Sequence, residues 1–178
     1  MPYTLQQLSD IEEIRLMKHR YFRGIDTADA ALLADMFTDD ISVDYRGGNY
    51  RVNLKGRENM MTFLANSFNS DAVAMHHGHM PEITITGEDT AEGVWYLEDI
   101  FINVEHKTHT IGSAIYKDKY RRVGGKWKIE STEYDRVIEL NFPLADNIEI
   151  ASHHLARAGL KPDQRSDISN MISWTTAG

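Results

Sequence analysis

Residues Thr90–Val104 read TAEGVWYLEDIFINV. This long stretch is rich in β-branched and aromatic residues, which predicts a strand. Between Gly93 and Ile102 both faces of that strand are apolar or aromatic, whereas an antiparallel strand with one face in water should alternate. We therefore expect helices to cover one face and something else to cover the other. A partner subunit is the simplest way to cover that second face, and the alternative is that the C-terminal segment folds back over it.

Further strands surround this stretch and are separated from it by short turns at residues 87–89 and 105–108. Gly124-Gly125 forms a third turn, and Pro81 limits pairing where it falls. Short turns between long strands favour antiparallel neighbours, so we predict an antiparallel meander. The strands that we predict besides Thr90–Val104 cover residues 72–80, 82–86, 109–123 and 126–140.

The first half of the chain has helical periodicity. Ser9 and Glu12 form a capping box that starts a helix, which should end near Asp26. Its apolar stripe is Ile11, Ile14, Met17, Tyr21 and Ile25, and its polar faces carry Glu12, Glu13, Arg15, Lys18 and His19. We predict a short helix over residues 29–37, a strand over residues 41–45, a turn at Gly47-Gly48 and a third helix over residues 57–68.

Helices followed by a meander indicate an α+β domain. A long sheet that carries helices on one face curls around them because strands twist, and it then encloses a core or a pocket. We assign residues 1–142 to this domain and residues 143–178 to a C-terminal extension that is partly helical, over residues 148–158, and closes the pocket. From Pro162 onward we expect poor order.

Composition excludes several functions. The chain has 178 residues, a net charge of −8 and no cysteine. The charge argues against binding nucleic acid or an anionic membrane by bulk electrostatics. The absence of cysteine excludes a disulfide framework, a thiolate metal site and a cysteine nucleophile. The N-terminus does not read as a secretion signal and no stretch is long and apolar enough to span a membrane, so we expect a cytoplasmic protein.

Histidine is the side chain best suited to move protons near neutral pH, and the chain has eight. Three of them fall in His76-His77-Gly78-His79. In a strand His76 points one way while His77 and His79 point the other, so one metal ion cannot easily take all three. We therefore predict no metal site.

Polar residues interrupt the apolar faces at a few positions. Asp26 follows Ile25 of the helix stripe, and Asp99 shares a strand face with Trp95. A carboxylate facing an apolar interior needs a partner, and His76 paired with Asp26 or Asp99 would be an oriented general base. The phenols of Tyr21, Tyr45, Tyr116 and Tyr134 could polarise a carbonyl or protonate a leaving hydroxide. These residues taken singly are also typical of structural positions.

Several strings together resemble the SnoaL-like branch of the nuclear-transport-factor-two-like superfamily, over about residues 9–142. They are Tyr21-Phe22-Arg23-x-x-Asp26, His76-x-Gly78-His79-x-Pro81-Glu82-Ile83, Trp95-Tyr96-Leu97-Glu98-Asp99, and Ala114-x-Tyr116-x-Asp118-Lys119-Tyr120 before Trp127. Within the branch, the bile-acid 7α-dehydratases are most similar. Scytalone dehydratase and the hexachlorocyclohexane dehydrochlorinase are similar at fewer positions. The segment after Phe142 departs from the family pattern.

The resemblance implies a cone-shaped α+β barrel, in which N-terminal helices pack on a strongly curved antiparallel sheet. It also implies a homotrimer that works without metal or organic cofactor on a small hydrophobic substrate. The catalytic residues that it implies are His76, Asp26, Tyr21 and Asp99. To substrate binding we assign Tyr45, Trp95, Tyr116, Tyr134 and Arg136, the last by resemblance to a late arginine of the bile-acid enzymes.

The resulting hypothesis is a lyase that removes water from a hydroxylated keto-steroid or bile acid, with His76 as base and Asp26 orienting it. Arg136 would contact a substrate carboxylate or pair with Glu139 or Asp135. A lyase acting on a smaller ring, such as a dehydrohalogenase, is one alternative. A ketosteroid-type isomerase and a ligand-binding module without catalysis are the others, since this fold does not decide function.

Overall fold

The computed structural model describes residues 3–175. Four α-helices and seven strands succeed one another along the chain. The helices are α1 (Leu5–Thr27), α2 (Ala30–Ala34), α3 (Arg57–Ser67) and α4 (Leu155–Ala158). The strands are β1 (Phe37–Arg46), β2 (Tyr50–Lys55), β3 (Ala72–Ile85), β4 (Thr90–Asn103), β5 (Thr108–Val123), β6 (Lys126–Pro143) and β7 (Ile172–Trp174). Two short 3₁₀ helices, Pro162–Gln164 and Ser169–Met171, precede β7.

All seven strands form one curved, unclosed sheet in the order β3-β4-β5-β6-β1-β2-β7. The α+β class and the meander β3 to β6 are confirmed, because each of these strands pairs antiparallel with the next. The curved sheet is confirmed, but it is not antiparallel throughout. Strand β1 pairs with β6 in parallel, so the sheet is mixed. The polypeptide between these two strands includes α3 and the meander, which makes room for that parallel return.

Strand β3 runs without interruption through Pro81, where we had predicted two separate strands. The ladder to β4 shifts register between His79 and Glu82, and Met80 there has a φ of +45°. A bulge of this kind takes up the residue that cannot donate a ladder hydrogen bond. The strand therefore continues, and His76 stays in register with the residues of β4 that flank it.

Helix α1 begins earlier than predicted. Its capping box is Thr4 with Gln7, and not Ser9 with Glu12. The predicted apolar stripe is buried from Ile14 onward and packs against β3. The assignment of Lys18 to a polar face was wrong, because its side chain is completely buried. Lys18 falls one turn after Ile14 and one turn before Tyr21, and it therefore belongs geometrically to the stripe.

The C-terminal segment is more ordered than predicted up to the last described residue. Strand β7 pairs with β2 and forms the edge of the sheet. Helix α4 covers only Leu155–Ala158 of the helix predicted over residues 148–158, and Leu155 is buried. Strand β2 was not predicted either. No helix among residues 3–175 is long and apolar enough to cross a membrane.

The outward face of β4 is only half covered within one chain. Ala91, Gly93, Trp95, Leu97 and Asp99 are buried on the concave face. Val94, Tyr96, Ile100 and Ile102, on the other face, are each partly exposed. The expectation that α1 and its neighbours cover one face of this strand is confirmed, and the other face has no complete cover among the described residues.

Candidate active site

A histidine–aspartate pair joins the end of α1 to strand β3. Nδ1 of His76 lies 2.6 Å from Oδ1 of Asp26. The backbone N–H of His76 donates to the other oxygen of the same carboxylate at 2.9 Å. Two hydrogen bonds from one residue fix the carboxylate against the strand. Of the two partners that we had left open for His76, the structure therefore selects Asp26.

The pair fixes which ring nitrogen is free. A carboxylate oxygen accepts, so Nδ1 carries the proton and Nε2 keeps its lone pair. Nε2 has no hydrogen-bond partner within residues 3–175. The His76 side chain is 8% exposed and that of Asp26 is 22% exposed, so the base is largely but not completely shielded from solvent. This arrangement suits a general base that takes a proton at Nε2.

Two phenylalanines hold the imidazole in place. Phe22 lies parallel to the ring at 6.2 Å between centroids, and Phe68 meets it edge-on at 5.3 Å. Phe22 reaches this position because residue 78 is a glycine. A Cβ on Gly78 would lie 2.3 Å from Cε2 of Phe22. The glycine between the histidines of β3 thus serves the packing of the histidine–aspartate pair.

A second charged pair lies beside the first on the concave face. Asp99 is the cross-strand partner of His76, but its carboxylate binds the guanidinium of Arg136 through both oxygens, one of them at 2.8 Å from Nη2. Arg136 also lies 3.0 Å from Glu139. The predicted pairing of Arg136 with Glu139 is thus present and that with Asp135 is not. Burial opposes the charge of Arg136, but Asp99 and its neighbours outweigh this and raise its pKa.

Gly112 makes the Asp99–Arg136 pair possible. It lies on β5 between the two, opposite Asp99 on one side and Glu139 on the other. A Cβ at this position would lie 2.7 Å from Nη1 of Arg136. The missing side chain lets the arginine cross β5 and reach β4. His76, Asp99 and Arg136 therefore follow one another across the sheet.

The predicted tyrosines form one buried cluster. The hydroxyls of Tyr21 and Tyr45 lie 3.1 Å apart. Tyr45 stacks on Tyr134 at 4.5 Å, and Tyr116 meets Tyr134 edge-on at 5.1 Å. Tyr50, which the sequence did not single out, shares a 2.5 Å hydrogen bond with Tyr134.

Burial keeps these phenols protonated. It is the main cause that raises the pKa of Tyr21 to about 12. Burial likewise raises the pKa values of Tyr45, Tyr116 and Tyr134 well above the ordinary range. A neutral phenol donates a hydrogen bond, which is the form needed to stabilise a developing oxyanion.

Trp95 belongs to a separate buried network. Its indole N–H donates to the hydroxyl of Tyr120 at 2.9 Å, and that hydroxyl donates to Asp118 at 2.9 Å. Asp118 in turn lies 2.7 Å from Nζ of Lys18, and both side chains are fully buried. The indole N–H of Trp95 is therefore hydrogen-bonded within the core.

An apolar cavity of about 200 Å³ is lined by neighbours of the histidine–aspartate pair, but by neither His76 nor Asp26 themselves. Ile25 precedes Asp26 and Phe68 touches His76, and both line this cavity. Ala158 and Leu160 of the C-terminal segment form another part of its wall. A larger open depression of about 640 Å³ lies at the other end of α1, around Thr4 and Arg122, and includes none of the predicted site residues.

Sequence reasoning missed the aromatic residues that hold His76, and it missed the buried Lys18. Phe22 and Phe68 looked like ordinary core positions, and only the glycine at 78 hinted at a close approach. Lys18 carried a clearer signal, because its spacing to Ile14 and Tyr21 is that of the apolar stripe. A lysine at such a position implies a buried acid, here Asp118.

Comparisons with known proteins agree with the fold. A family profile described as a SnoaL-like domain matches residues 6–133. A hexachlorocyclohexane dehydrochlorinase, LinA type 2, has a similar structure, with 21% identity over 83% of this chain and 97% of that chain and a TM-score of 0.71. A provisional scytalone dehydratase from Novosphingobium aromaticivorans matches with 20% identity over 82% and 96% and a TM-score of 0.69. LinA type 3 from Novosphingobium barchaimii matches with 19% identity over 83% and 98% and a TM-score of 0.69.

Proposed function

Because the chain belongs to the SnoaL-like family, we propose that it is a lyase that works without a cofactor and eliminates water from a hydroxylated, keto-bearing hydrophobic substrate. The observation that carries the proposal is the Asp26–His76 pair, whose bond at Nδ1 leaves Nε2 free as a base. The names of the similar structures, a dehydrochlorinase and a provisional dehydratase, belong to enzymes of elimination. That class of reaction needs a sheltered base and no redox group.

The reaction would proceed by proton abstraction beside an activated carbon. Nε2 of His76 takes a proton from a carbon that is conjugated with the substrate ketone. The electron pair left behind forms the new carbon–carbon double bond as the carbon–oxygen bond breaks. The departing hydroxide takes a proton from the imidazolium or from a phenol, which gives water. Asp26 stabilises the cation of His76 between these two steps.

The charge on the substrate oxygen would be stabilised by the tyrosines. Between Tyr21 and Tyr45 one hydroxyl donates to the other, so the second keeps a proton that it can direct elsewhere. A neutral donor in a buried site is worth more than the same donor in water. Arg136, on the same concave face, would contact a substrate carboxylate through the guanidinium hydrogens that Asp99 leaves free.

The substrate that we infer first is a hydroxylated 3-keto-steroid or bile acid. The apolar lining around Ile25, Leu64 and Phe68 suits a hydrophobic ring system. A second candidate, a smaller ring that loses water or halide, is favoured by one observation. The cavity of about 200 Å³ is below the usual range of about 300–1,000 Å³ for ligand pockets. A steroid would need the wall at Ala158 and Leu160 to move outward.

The test is a substrate panel. The protein is incubated with hydroxylated 3-keto-steroids while dienone absorbance is followed, and with chlorinated cyclohexanes while halide is measured. Mass spectrometry checks that one water is lost. A product of unchanged mass would point to an isomerase and contradict the elimination. The His76→Ala variant must be inactive, while His106→Gln, in an exposed turn, must match the wild type.

We also propose that the chain forms a homotrimer through the outward face of the sheet. Cross-strand pairing puts Ile100, Ile111 and Leu140 in one row, and the next row holds Ile102, His109 and Phe142. Ile111, Leu140 and Phe142 are 38%, 50% and 44% exposed, which is costly in a monomer. Light scattering after gel filtration should give three times the chain mass. The mass of one chain would contradict the proposal.

A further inference from the structure

Three metal-binding side chains meet on the outward face of β3 and β4. They are His77, His79 and Glu98, and their ligand atoms all lie within 4.8 Å of one another. The ladder brings them together, because His77 pairs with Glu98 and His79 lies two residues farther along the same face. All three are exposed, so an ion from solution can reach them.

The distance between two of the three ligands fits a tetrahedral ion. Nε2 of His79 lies 3.3 Å from Oε2 of Glu98. Two ligands bound to zinc at about 2.0–2.1 Å are separated by roughly 3.3 Å when the geometry is tetrahedral. The His79 and Glu98 side chains are 44% and 59% exposed, so they lose little packing when they adjust. The ring of His77 lies edge-on to that of His79, with 5.8 Å between centroids.

We propose that His77, His79 and Glu98 bind a Zn²⁺ ion, with water as the fourth ligand. Two imidazoles and a carboxylate are a set of ligands that zinc prefers. The proposal differs from the sequence prediction of no metal site, but it keeps the reasoning behind it. His76 points to the concave face and takes no part, and Glu98 supplies the ligand that the third histidine cannot.

The ion would link two strands next to a weak point of the sheet. The regular ladder stops after His79 and resumes at Glu82, so β3 has lost ladder contacts there. A link between His77, His79 and Glu98 would fasten β3 to β4 immediately before that bulge. On the opposite face the same segment carries His76. The ion would therefore stabilise the strand that presents the base without touching the base itself.

The first measurement is titration of ZnCl₂ into EDTA-treated, dialysed protein by calorimetry. We expect one ion per chain with a Kd below about 10 µM. Saturating ZnCl₂ should raise the Tm by about 5 °C or more, since an ion that binds only the folded state stabilises it. Cobalt(II) in place of zinc should give the visible absorption of a tetrahedral site with nitrogen and oxygen ligands.

The variant His77→Gln/His79→Gln should lose the calorimetric signal, the shift in Tm and the cobalt spectrum. Glu98→Gln should weaken binding by about 10-fold or more. The matched control is His106→Gln/His154→Gln, which removes two exposed histidines from other parts of the chain and should bind like the wild type. Circular dichroism checks that each variant is folded. Equal binding by wild type and the His77/His79 variant, or no binding by the wild type, would overturn the proposal.

Discussion

Helix α1 makes two side-chain pairs with the sheet, one between a lysine and an aspartate and one between an aspartate and a histidine, and their difference separates structure from chemistry. Near its middle, Lys18 meets Asp118 on β5 at 2.7 Å, and both side chains are 0% exposed. Near its end, Asp26 meets His76 on β3 at 2.6 Å, and both remain partly accessible. The two pairs have similar lengths and lie eight residues apart on one helix. What distinguishes them is whether the atoms without a hydrogen-bond partner can be reached from outside the protein.

The Lys18–Asp118 pair is closed off from solvent, although Oδ1 of Asp118 has no hydrogen-bond partner among residues 3–175. Tyr120 donates to the carboxylate, and the ring of Tyr116 lies 3.9 Å from Nζ of Lys18. Burial is the main cause that lowers the pKa of Lys18, while Asp118 opposes it. In the Asp26–His76 pair, by contrast, Nε2 of the imidazole is free and the two side chains are partly exposed. A pair closed off from solvent stabilises a fold, and a pair with a free nitrogen that a substrate can reach can carry a reaction.

The largest effect should come from His76→Ala. Removing the base should lower kcat by about 10⁴-fold, equivalent to about 5.5 kcal/mol of transition-state stabilisation. The midpoint of urea unfolding should also fall, because the imidazole is largely buried between Phe22 and Phe68, so the rate is compared per folded molecule. Steady-state kinetics on the substrate identified by the panel gives the rate. A variant that retained the wild-type rate would remove the functional distinction between the two pairs.

Breaking the Lys18–Asp118 pair should lower stability and leave the rate unchanged. Lys18→Met leaves the carboxylate of Asp118 buried without its cation and should cost about 3–5 kcal/mol of unfolding free energy. The rate per folded molecule should stay close to that of the wild type. Lys107→Met is the control, because Lys107 pairs with Asp146 at the surface, with 68% and 88% exposure. That change should cost less than about 1 kcal/mol. Similar costs for both lysines would contradict a structural role for Lys18.

Asp26→Asn tests whether Asp26 acts by positioning His76. The backbone N–H of His76 needs an acceptor, so the amide oxygen should take that place and the NH₂ should face Nδ1. The proton would then move to Nε2 and block the base. We expect kcat to fall by about 10²-fold or more. Nitrogen-15 chemical shifts of the ring report which nitrogen is protonated, and a proton still on Nδ1 would contradict this role.

The sequence was sufficient for elements whose signal is local. The periodicity of α1 and the long β-rich runs placed β3 to β6 within a few residues. The remaining strands, β2 and β7, depend on pairing with neighbouring strands in the folded protein. Strand β2 is only Tyr50–Lys55, and β7 is three residues long, so neither has a periodic signal that stands above its surroundings. Both are strands only because a neighbour accepts their hydrogen bonds.

The same division holds for the site. Asp26 and His76 were identified because each interrupts a recognisable pattern, a helix stripe and a strand. The choice between Asp26 and Asp99 could not be made from spacing, because both carboxylates face the same interior. It was settled by Arg136, which reaches Asp99 only because residue 112 has no side chain. A contact that depends on a missing side chain on the strand between its two partners leaves no local trace in the sequence.

Gly112→Ala should therefore have a smaller but traceable effect. The new methyl group would lie 2.7 Å from Nη1 of Arg136 and 2.8 Å from the carbonyl oxygen of Ile138. Displacing the arginine should cost about 1–2 kcal/mol of unfolding free energy. A double-mutant cycle with Arg136→Gln tests whether Gly112 acts through Arg136. If it does, the unfolding free energies lost in the two single variants are less than additive in the double variant. Fully additive losses would mean that Gly112 matters only for strand packing.

The smallest effect concerns the tyrosines that lie between the two pairs of α1. Burial raises the pKa of Tyr21 from 10.0 to about 12, so the unfolded chain loses this proton first as the pH rises. The stability due to neutral Tyr21 is complete below pH 10 and is lost as the pH rises toward 12. At pH 11 the loss amounts to about 1 kcal/mol. Urea unfolding at pH 9 and pH 11 should show a smaller difference for Tyr21→Phe than for the wild type. Tyr3→Phe, at an exposed position, is the control. If the stability difference between pH 9 and pH 11 were equal in the wild type, Tyr21→Phe and Tyr3→Phe, Tyr21 would not titrate as its burial requires.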